Sequence, residues 1–178
     1  MKQKIIILAF LIFSANVFAT EQTSDLLIIE KDTIFLKIFP LEQLELKLRP
    51  FSEIALARYV SNCYRGYKAT WKIVDNKLFL EKIVRCNREI GEENIIELFE
   101  RNNIQYQEKN GMIFADWCTL DLYRMTTSSR GTKLRKKDGL FLYDRPLRRK
   151  NKRKIILQIE NGIITINKLA QLERPSSN

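Results

Sequence analysis

Apolar and polar residues alternate along much of the chain, and this period of two predicts β-strands. The clearest alternation runs on both sides of Asp75-Asn76. A tight turn at these two residues places Trp71 opposite Leu80 and Ile73 opposite Leu78, with all four side chains on one face. Because the turn and the alternation agree, this stretch is predicted to form a β-hairpin.

Two other turn signals predict hairpins nearer the ends of the chain. Residues 26–38 contain two β-rich runs around Lys31-Asp32. Asn161-Gly162 separates two alternating runs near the C-terminus, and Asn-Gly is the strongest short hairpin signal. The turn at Asn161-Gly162 places Ile159 opposite Ile164.

Helical periodicity is confined to short stretches. Residues 91–103 are the best helix candidate, because acidic residues stand at the start, asparagines at the end and apolar residues on one face. That apolar face consists of Ile95, Leu98 and Phe99. Residues 52–60 are predicted as a second helix, with Ser52 as its N-cap. The leucines after Pro40 fit a helix face and a strand face, and Pro40 favours a short helix.

Residues 111–123 and 139–144 supply further predicted strands. The predicted fold class is therefore α+β, mainly antiparallel β, in which several β-hairpins and one to three short helices form a single domain.

The N-terminal residues have the pattern of a secretory signal peptide. Lys2 and Lys4 precede an apolar run from Ile5 to Phe13, and a cleavage-site pattern ends at Ala19. A membrane anchor is the alternative, but the apolar stretch is shorter than the roughly 20 residues that a spanning helix needs. We therefore expect cleavage of residues 1–19, no transmembrane span afterwards, and export to the periplasm or the extracellular space.

The exported remainder has the length of one domain with its own core. Residues 20–123 are predicted as its hairpin-rich core. Residues 124–154 form a basic segment with a short strand, residues 155–168 form the C-terminal hairpin, and residues 169–178 form a tail.

The net charge of +10 is concentrated in the basic segment, residues 124–154. This segment holds thirteen Lys or Arg and only two acids, whereas the rest of the exported chain has slightly more acidic than basic residues. Its cations form two clusters that flank the apolar strand at 139–144. The predicted partner-binding residues are Lys133, Arg135, Lys136, Lys137, Arg148, Arg149, Lys150, Lys152, Arg153 and Lys154.

Such a concentration of positive charge suits a partner rich in phosphates or carboxylates. An acidic protein or an anionic component of the envelope fits an exported protein better than nucleic acid, which is uncommon outside the cytoplasm. Solvated basic loops that bind nothing specific are the alternative. The sequence does not predict the oligomeric state.

The three cysteines allow at most one disulfide within the chain. In the predicted register Cys63 and Cys86 lie diagonally on the core face of the hairpin, about 7 Å apart between Cα atoms. Disulfides usually span roughly 4.4–6.8 Å, so this spacing allows a Cys63–Cys86 bond without requiring it, and a bulge at Gly66 would bring the two closer. Cys118 is expected to be a buried residue or a disulfide partner rather than a nucleophile.

The chain contains no histidine, which removes the usual general base and the commonest metal ligand. It also removes the Ser-His-Asp and Cys-His nucleophile arrangements. The sequence has no zinc-ligand spacing and no glycine-rich phosphate loop. We therefore predict no catalytic residues, no metal site and no cofactor.

Arg65, Asp116 and Trp117 are the residues that most resemble a pocket. In one interpretation Arg65 binds an anion and Trp117 stacks on a ring or an apolar group. In the other, which we favour, Arg65 and Asp116 form an internal ion pair between aromatic side chains, because a buried arginine needs such a partner.

Several motifs resemble those of one group of proteins. Residues 63–73 read CYRGYKATWKI, PLE follows the first hairpin, residues 114–117 read FADW, and ENG lies in the last hairpin. Together they resemble a family of small, uncharacterised bacterial proteins with a C-[WY]-R-G-Y-x-A-T-W-x-I core, over residues 26–167. Tyr64 stands at the position where Trp is expected in the family, and the basic segment is more basic than is expected of it. The resemblance implies a shared fold and no particular reaction.

These patterns predict an exported, non-catalytic binding protein that engages an acidic partner through the basic segment. An envelope inhibitor or immunity-type protein is one form of it, and a binder of anionic lipid is another. From a different functional class, the alternative is a small histidine-free hydrolase that uses a carboxylate near Asp116.

Overall fold

The structure is a computed structural model, and it describes residues 22–52, 61–86, 91–126, 139–144 and 154–169. Strands account for most of the regular structure in these ranges. They are β1 (Asp25–Ile29), β2 (Asp32–Leu36), β3 (Tyr67–Val74), β4 (Lys77–Arg85), β5 (Glu92–Glu93), β6 (Glu108–Lys109), β7 (Met112–Phe114), β8 (Leu120–Arg124), β9 (Phe141–Tyr143), β10 (Leu157–Glu160) and β11 (Ile163–Asn167). The described helices are α1 (Ile95–Arg101) and a 3-10 helix (Pro40–Leu44).

Eight of the strands close into a barrel. The order around the ring is β4, β3, β1, β2, β9, β8, β10 and β11, and β11 returns to β4. At the closure Ile163 pairs with Lys77, and the Ile164 amide donates to the Asn76 carbonyl at 2.9 Å. Strands β5 and β7 also pair with β4, and β6 pairs with β7, so these three short strands extend the sheet beyond the ring.

The predicted α+β fold class is wrong, because the protein is mostly β, with a closed barrel and one α-helix in the described ranges. Closure depends on strands that are distant in sequence. Strand β1 runs parallel to β3, with Leu26 opposite Thr70, and β2 runs parallel to β9, with Phe35 opposite Phe141. Alternation within a strand identifies its buried face but not its neighbour in the sheet, so the closed ring could not be predicted in this way.

The short helix that Pro40 favours is present, as a 3-10 helix rather than an α-helix. A single 3-10 turn covers Pro40–Leu44, and Glu45 follows with a left-handed φ of 48°. A left-handed residue ends a helix, so Leu48 lies beyond it and remains 44% exposed. The helix predicted at 52–60 lies outside the described residues, apart from Ser52.

The hairpin at Asp75-Asn76 is confirmed in the predicted register. Trp71 pairs with Leu80 and Ile73 pairs with Leu78. Asp75 and Asn76 have φ values of 49° and 62°, which is the backbone conformation that a type I′ turn requires. The turn therefore sets the register of β3 and β4.

Three other predictions are confirmed at the level of elements. Ile159 pairs with Ile164 in the C-terminal hairpin. The first hairpin also forms, although its turn lies one residue earlier than predicted, with Ile29 opposite Asp32. Helix α1 buries the predicted apolar face, and the Asn94 side chain caps its N-terminus by accepting from the Glu97 amide.

Large apolar side chains fill the interior of the barrel. Trp71 is the largest of the fully buried residues, and leucines and isoleucines from both halves of the ring surround it. The interior residues below 2% exposure include Leu27, Leu80, Ile83, Leu122, Leu142 and Leu157. The barrel is therefore a packed core in the part of the chain that the structure describes.

Gly162 lies at a point where the last hairpin touches the FADW motif. Its φ is 76°, and a Cβ atom at this position would lie 2.6 Å from the Ala115 carbonyl oxygen. The Gly162 amide donates to the Cys118 carbonyl, and the Leu78 amide donates to the Gly162 carbonyl. These hydrogen bonds hold the backbone in place, so a side chain at residue 162 cannot be accommodated by a simple shift.

We expect Gly162→Asn to lower the free energy of unfolding by about 1–3 kcal/mol, as overpacked sites usually do. Gly111→Asn is the matched control, because Gly111 has a similar φ of 75° and open space around its Cβ position. Asparagine tolerates positive φ in both places. Urea unfolding of the two variants separates the effect of the close contact with Ala115 from the effect of a side chain at positive φ. Equal unfolding midpoints would show that the contact at residue 162 does not destabilise the variant.

Candidate functional site

The most constrained polar group in the described chain is Asp25, at the start of β1. Its carboxylate is fully buried and accepts three hydrogen bonds. Oδ1 accepts from Arg65 Nη1 at 3.0 Å and from the Ala69 amide at 3.2 Å, and Oδ2 accepts from Trp71 Nε1 at 3.1 Å. One side chain thus ties β1 to β3 and to the Arg65 loop.

Arg65 is held by hydrogen bonds on one side and aromatic rings on the other. Its Nη2 donates to the Thr23 carbonyl at 3.0 Å, and its guanidinium carbon lies 3.5 Å from the centre of the Phe39 ring. The Tyr67 ring lies on the same guanidinium at 5.0 Å. Stacking on aromatic faces is a property of arginine that lysine lacks.

Burial raises the pKa of Asp25, whereas the charge of Arg65 and the three N–H donors lower it. Arg65 is a cation that is only 8% exposed. A neutral Asp25 would leave that buried charge without a counterion. Asp25 and Arg65 therefore act as one unit, and neither is available to an outside ligand.

The ion pair predicted for Arg65 forms with a different acid. We expected Asp116, but the structure pairs Arg65 with Asp25, and Asp116 lies exposed after β7. Trp117 points inward, where its Nε1 donates to the Pro40 carbonyl at 3.1 Å and its ring meets Trp71 edge-on at 6.4 Å. The three residues proposed as a pocket thus have different environments.

The PLE motif at residues 40–42 belongs to the same network of contacts. Tyr67 donates its phenol proton to Glu42 at 2.6 Å, and burial together with this carboxylate raises the pKa of Tyr67. Pro40 accepts from Trp117, as described above. Direct contacts therefore join the CYRGYKATWKI, PLE and FADW motifs, and Gly162 of the ENG motif lies against Ala115 of FADW. These contacts support a structural role for the four motifs.

The Cys63–Cys86 disulfide is confirmed, with 6.3 Å between the Cα atoms. The Gly66 amide donates to the Cys63 carbonyl at 3.0 Å, and this turn brings Cys63 back towards Cys86. The register of the hairpin shifts between Thr70 and Trp71 rather than at Gly66. It places Gly66 opposite Cys86, whose amide donates to the Gly66 carbonyl at 3.1 Å. Burial raises the pKa of Cys118 to about 12, which keeps this free thiol protonated at neutral pH and unsuited to act as a nucleophile.

An open cleft of about 500 Å³ lies beside the disulfide on the outer surface. Its walls include Thr23, Asn62, Lys68, Arg85 and Cys86. The two cations give it positive character, and no carboxylate or free thiol is among the described residues that line it.

Of the ten predicted partner-binding residues, only Lys154 lies in the described part of the chain, where it is exposed. Described residues near the two ends of the basic segment are nevertheless anchored to the barrel by hydrogen bonds. The Met125 amide donates to the Phe141 carbonyl, and the Ile156 amide donates to the Leu122 carbonyl, both at 2.8 Å. These anchor points lie on β8, β9 and β10, with β8 between the other two strands.

Sequence reasoning missed Asp25, which the structure makes the central polar residue. It stands directly before an apolar run, a position that normally indicates the solvent end of a strand. The one available signal was that a buried arginine requires an acid, and this requirement did not identify which acid.

Within the described ranges, no cluster of three or more His, Cys, Asp or Glu side chains is placed to hold a metal ion. No helix among the described residues has the length and apolar character needed to cross a membrane. No protein-family model, curated protein or solved structure matches the chain significantly.

Proposed function

We propose that this is an exported, non-catalytic binding protein that engages an acidic partner through the basic segment. The observation that carries the proposal is the charge distribution. Thirteen Lys or Arg and two acids occupy residues 124–154, while the remainder of the exported chain is close to neutral. A dense field of one sign attracts a partner of the opposite sign and raises the rate of encounter.

The position of the anchor points supports this function. The two basic clusters flank β9 in sequence, and their anchor points lie on the three neighbouring strands β8, β9 and β10. In sequence, both clusters therefore adjoin three neighbouring strands of the barrel.

The remainder of the molecule suits a scaffold. Its interior is filled by apolar side chains, and its buried ion pair joins Asp25 to Arg65 within the molecule. A disulfide adds stability of the kind that exported proteins use. A packed, disulfide-bonded barrel is therefore a suitable scaffold for a charged binding segment.

The proposal is tested by the salt dependence of binding. The full chain, expressed with its own leader and purified after export, is immobilised and exposed to solubilised envelope extract, and the retained proteins and lipids are identified by mass spectrometry. Screening lengths fall from about 30 Å at 0.01 M salt to about 8 Å at 0.15 M. We expect an anionic component to be retained at the lower concentration and largely lost at the higher one. Retention that is indifferent to salt would contradict binding by charge.

A further inference from the structure

A continuous strip of aromatic side chains covers the outer face of β2, β9 and β8. We call Phe35, Phe141, Tyr143 and Tyr123 the aromatic strip. Side chains along a strand point alternately to the two faces of the sheet. The sequence neighbours of the strip point into the barrel and are buried; they are Ile34, Leu36, Leu142 and Leu122. The strip therefore points outward, and its members have intermediate exposure.

The four rings form one surface. Phe35 and Phe141 are stacked, with 4.8 Å between ring centres and 19° between planes. Tyr123 and Tyr143 are tilted neighbours at 6.2 Å. Phe141 and Tyr143 stand two residues apart on β9, so they link the two pairs across three adjacent strands.

Two contacts fix the Phe35 end of the strip. Gly139 approaches the Phe35 ring so closely that a Cβ atom there would lie 2.7 Å from Phe35 Cε2. Lys37 places its ammonium 5.6 Å from the centre of the Phe141 ring. Strand β9, which carries two of the four rings, lies near the centre of the basic segment in sequence.

The distribution of charge favours a partner of uniform sign. A protein partner usually presents both signs in a pattern that its binder mirrors, whereas the basic segment has almost only cations. A bilayer with anionic headgroups offers a uniform negative sheet, which attracts each cation that comes near it. Tyrosine suits the boundary of such a bilayer, because its apolar ring and its polar hydroxyl meet the two environments. The phenylalanine rings add apolar surface beside the tyrosines.

We propose that the aromatic strip is the contact surface for an anionic phospholipid bilayer, with the basic segment supplying the attraction. This proposal rests on the proposed function, because it names the class of the acidic partner. The barrel would lie on the bilayer by the outer face of β2, β9 and β8, without any segment crossing it.

Cosedimentation with vesicles tests the role of the strip. The probe is a vesicle of phosphatidylcholine with a fraction of phosphatidylglycerol, compared with phosphatidylcholine alone. We expect the native protein to bind only the anionic vesicles and Phe141→Thr/Tyr143→Thr to bind them about tenfold more weakly, the equivalent of losing roughly 1.4 kcal/mol. Threonine keeps the β-branching that strands favour.

Ile163→Thr is the matched control. Ile163 is 46% exposed on β11, which stands opposite β2 in the ring of eight strands. The loss of an exposed apolar side chain outside the aromatic strip should leave vesicle binding unchanged. An equal loss in this control would overturn the proposal.

A second variant, Tyr143→Trp, reports directly whether the aromatic strip contacts the bilayer. Both native tryptophans point inward, Trp71 fully buried and Trp117 partly so, so Tyr143→Trp adds the first outward-facing one among the described residues. Its emission should shift to shorter wavelength and be quenched by brominated lipid when anionic vesicles are added. Near-ultraviolet circular dichroism verifies that each variant is folded, and the tryptophan variant gives an answer even where the double variant does not fold.

The outcomes separate the two proposals. The aromatic strip is not the bilayer contact if Phe141→Thr/Tyr143→Thr binds vesicles fully, or if the Tyr143→Trp emission does not shift. Either result would leave the proposal of binding by charge intact. An absence of vesicle binding at low salt, together with salt-sensitive retention of an acidic protein from envelope extract, would overturn the lipid assignment and point to that protein. Failure of both assays would overturn the proposed function as well.

Discussion

Replacing Asp25 by asparagine is expected to cost about 3–5 kcal/mol of stability, the usual result of removing one partner from a buried ion pair. The amide of asparagine has one acceptor where the carboxylate has two. Oδ1 serves Arg65 and Ala69 while Oδ2 serves Trp71, so one side of the site must lose its acceptor. The Arg65 charge also remains buried without a counterion. Since small domains are stable by about 5–15 kcal/mol, this single change removes much of the margin.

The matched control is Asp32→Asn, which makes the same substitution at an exposed position of the same hairpin. Surface changes of this kind usually stay within about 0.5 kcal/mol. Urea unfolding, followed by circular dichroism, measures both variants. Equal midpoints for Asp25→Asn and Asp32→Asn would show that the buried pair does not stabilise the barrel.

A double variant tests whether Asp25 and Arg65 stabilise the protein as an interacting pair or independently. Asp25→Asn combined with Arg65→Met removes the unpaired charge that the single variant leaves behind. We expect the double variant to be less destabilised than the sum of the two single changes, because the residues interact directly. Additive losses would mean that Asp25 and Arg65 contribute independently.

Removing the disulfide with Cys63→Ala/Cys86→Ala is expected to cost about 3 kcal/mol, given a closed loop of this length. The sequence separation is 23 residues, so the bond limits the unfolded chain substantially. It also ties the loop that carries Arg65 to the end of β4. Thermal unfolding of the native and variant proteins measures the loss.

Counting thiols provides the control for that experiment. After denaturation without reductant, the native chain should react with one equivalent of a thiol reagent, at Cys118. After reduction it should react with three. Three reactive thiols before reduction would show that the disulfide does not form.

Local patterns in the sequence predicted the local structure well. The Asp75-Asn76 turn gave the register of β3 and β4, because a two-residue turn leaves little freedom in pairing. The spacing of apolar residues identified the buried face of α1. In both cases the residues that determine the structure lie close together in sequence, within one helix or on either side of one turn.

The ring and the polar centre depend on distant residues, and these could not be predicted. Leu26 and Thr70 pair across 44 residues, and Asp25 meets Arg65 across 40. The need of Arg65 for an acid was evident from its chemistry, but Asp116 was chosen because it lies in a motif. Only the three-dimensional arrangement reveals that β1, and not β7, brings its acid to Arg65.

The clearest single test of binding by charge uses a variant in which the ten predicted cations of the basic segment are changed to glutamine. Its thermal unfolding and its retention of envelope components are measured on the same preparation, with Lys31→Gln/Lys47→Gln as a control for charge removed elsewhere. The variant should unfold at the native temperature, because the barrel core and the Asp25–Arg65 pair are unchanged, and it should retain no anionic component. Retention of that component at the native level by a folded variant would contradict the proposed function.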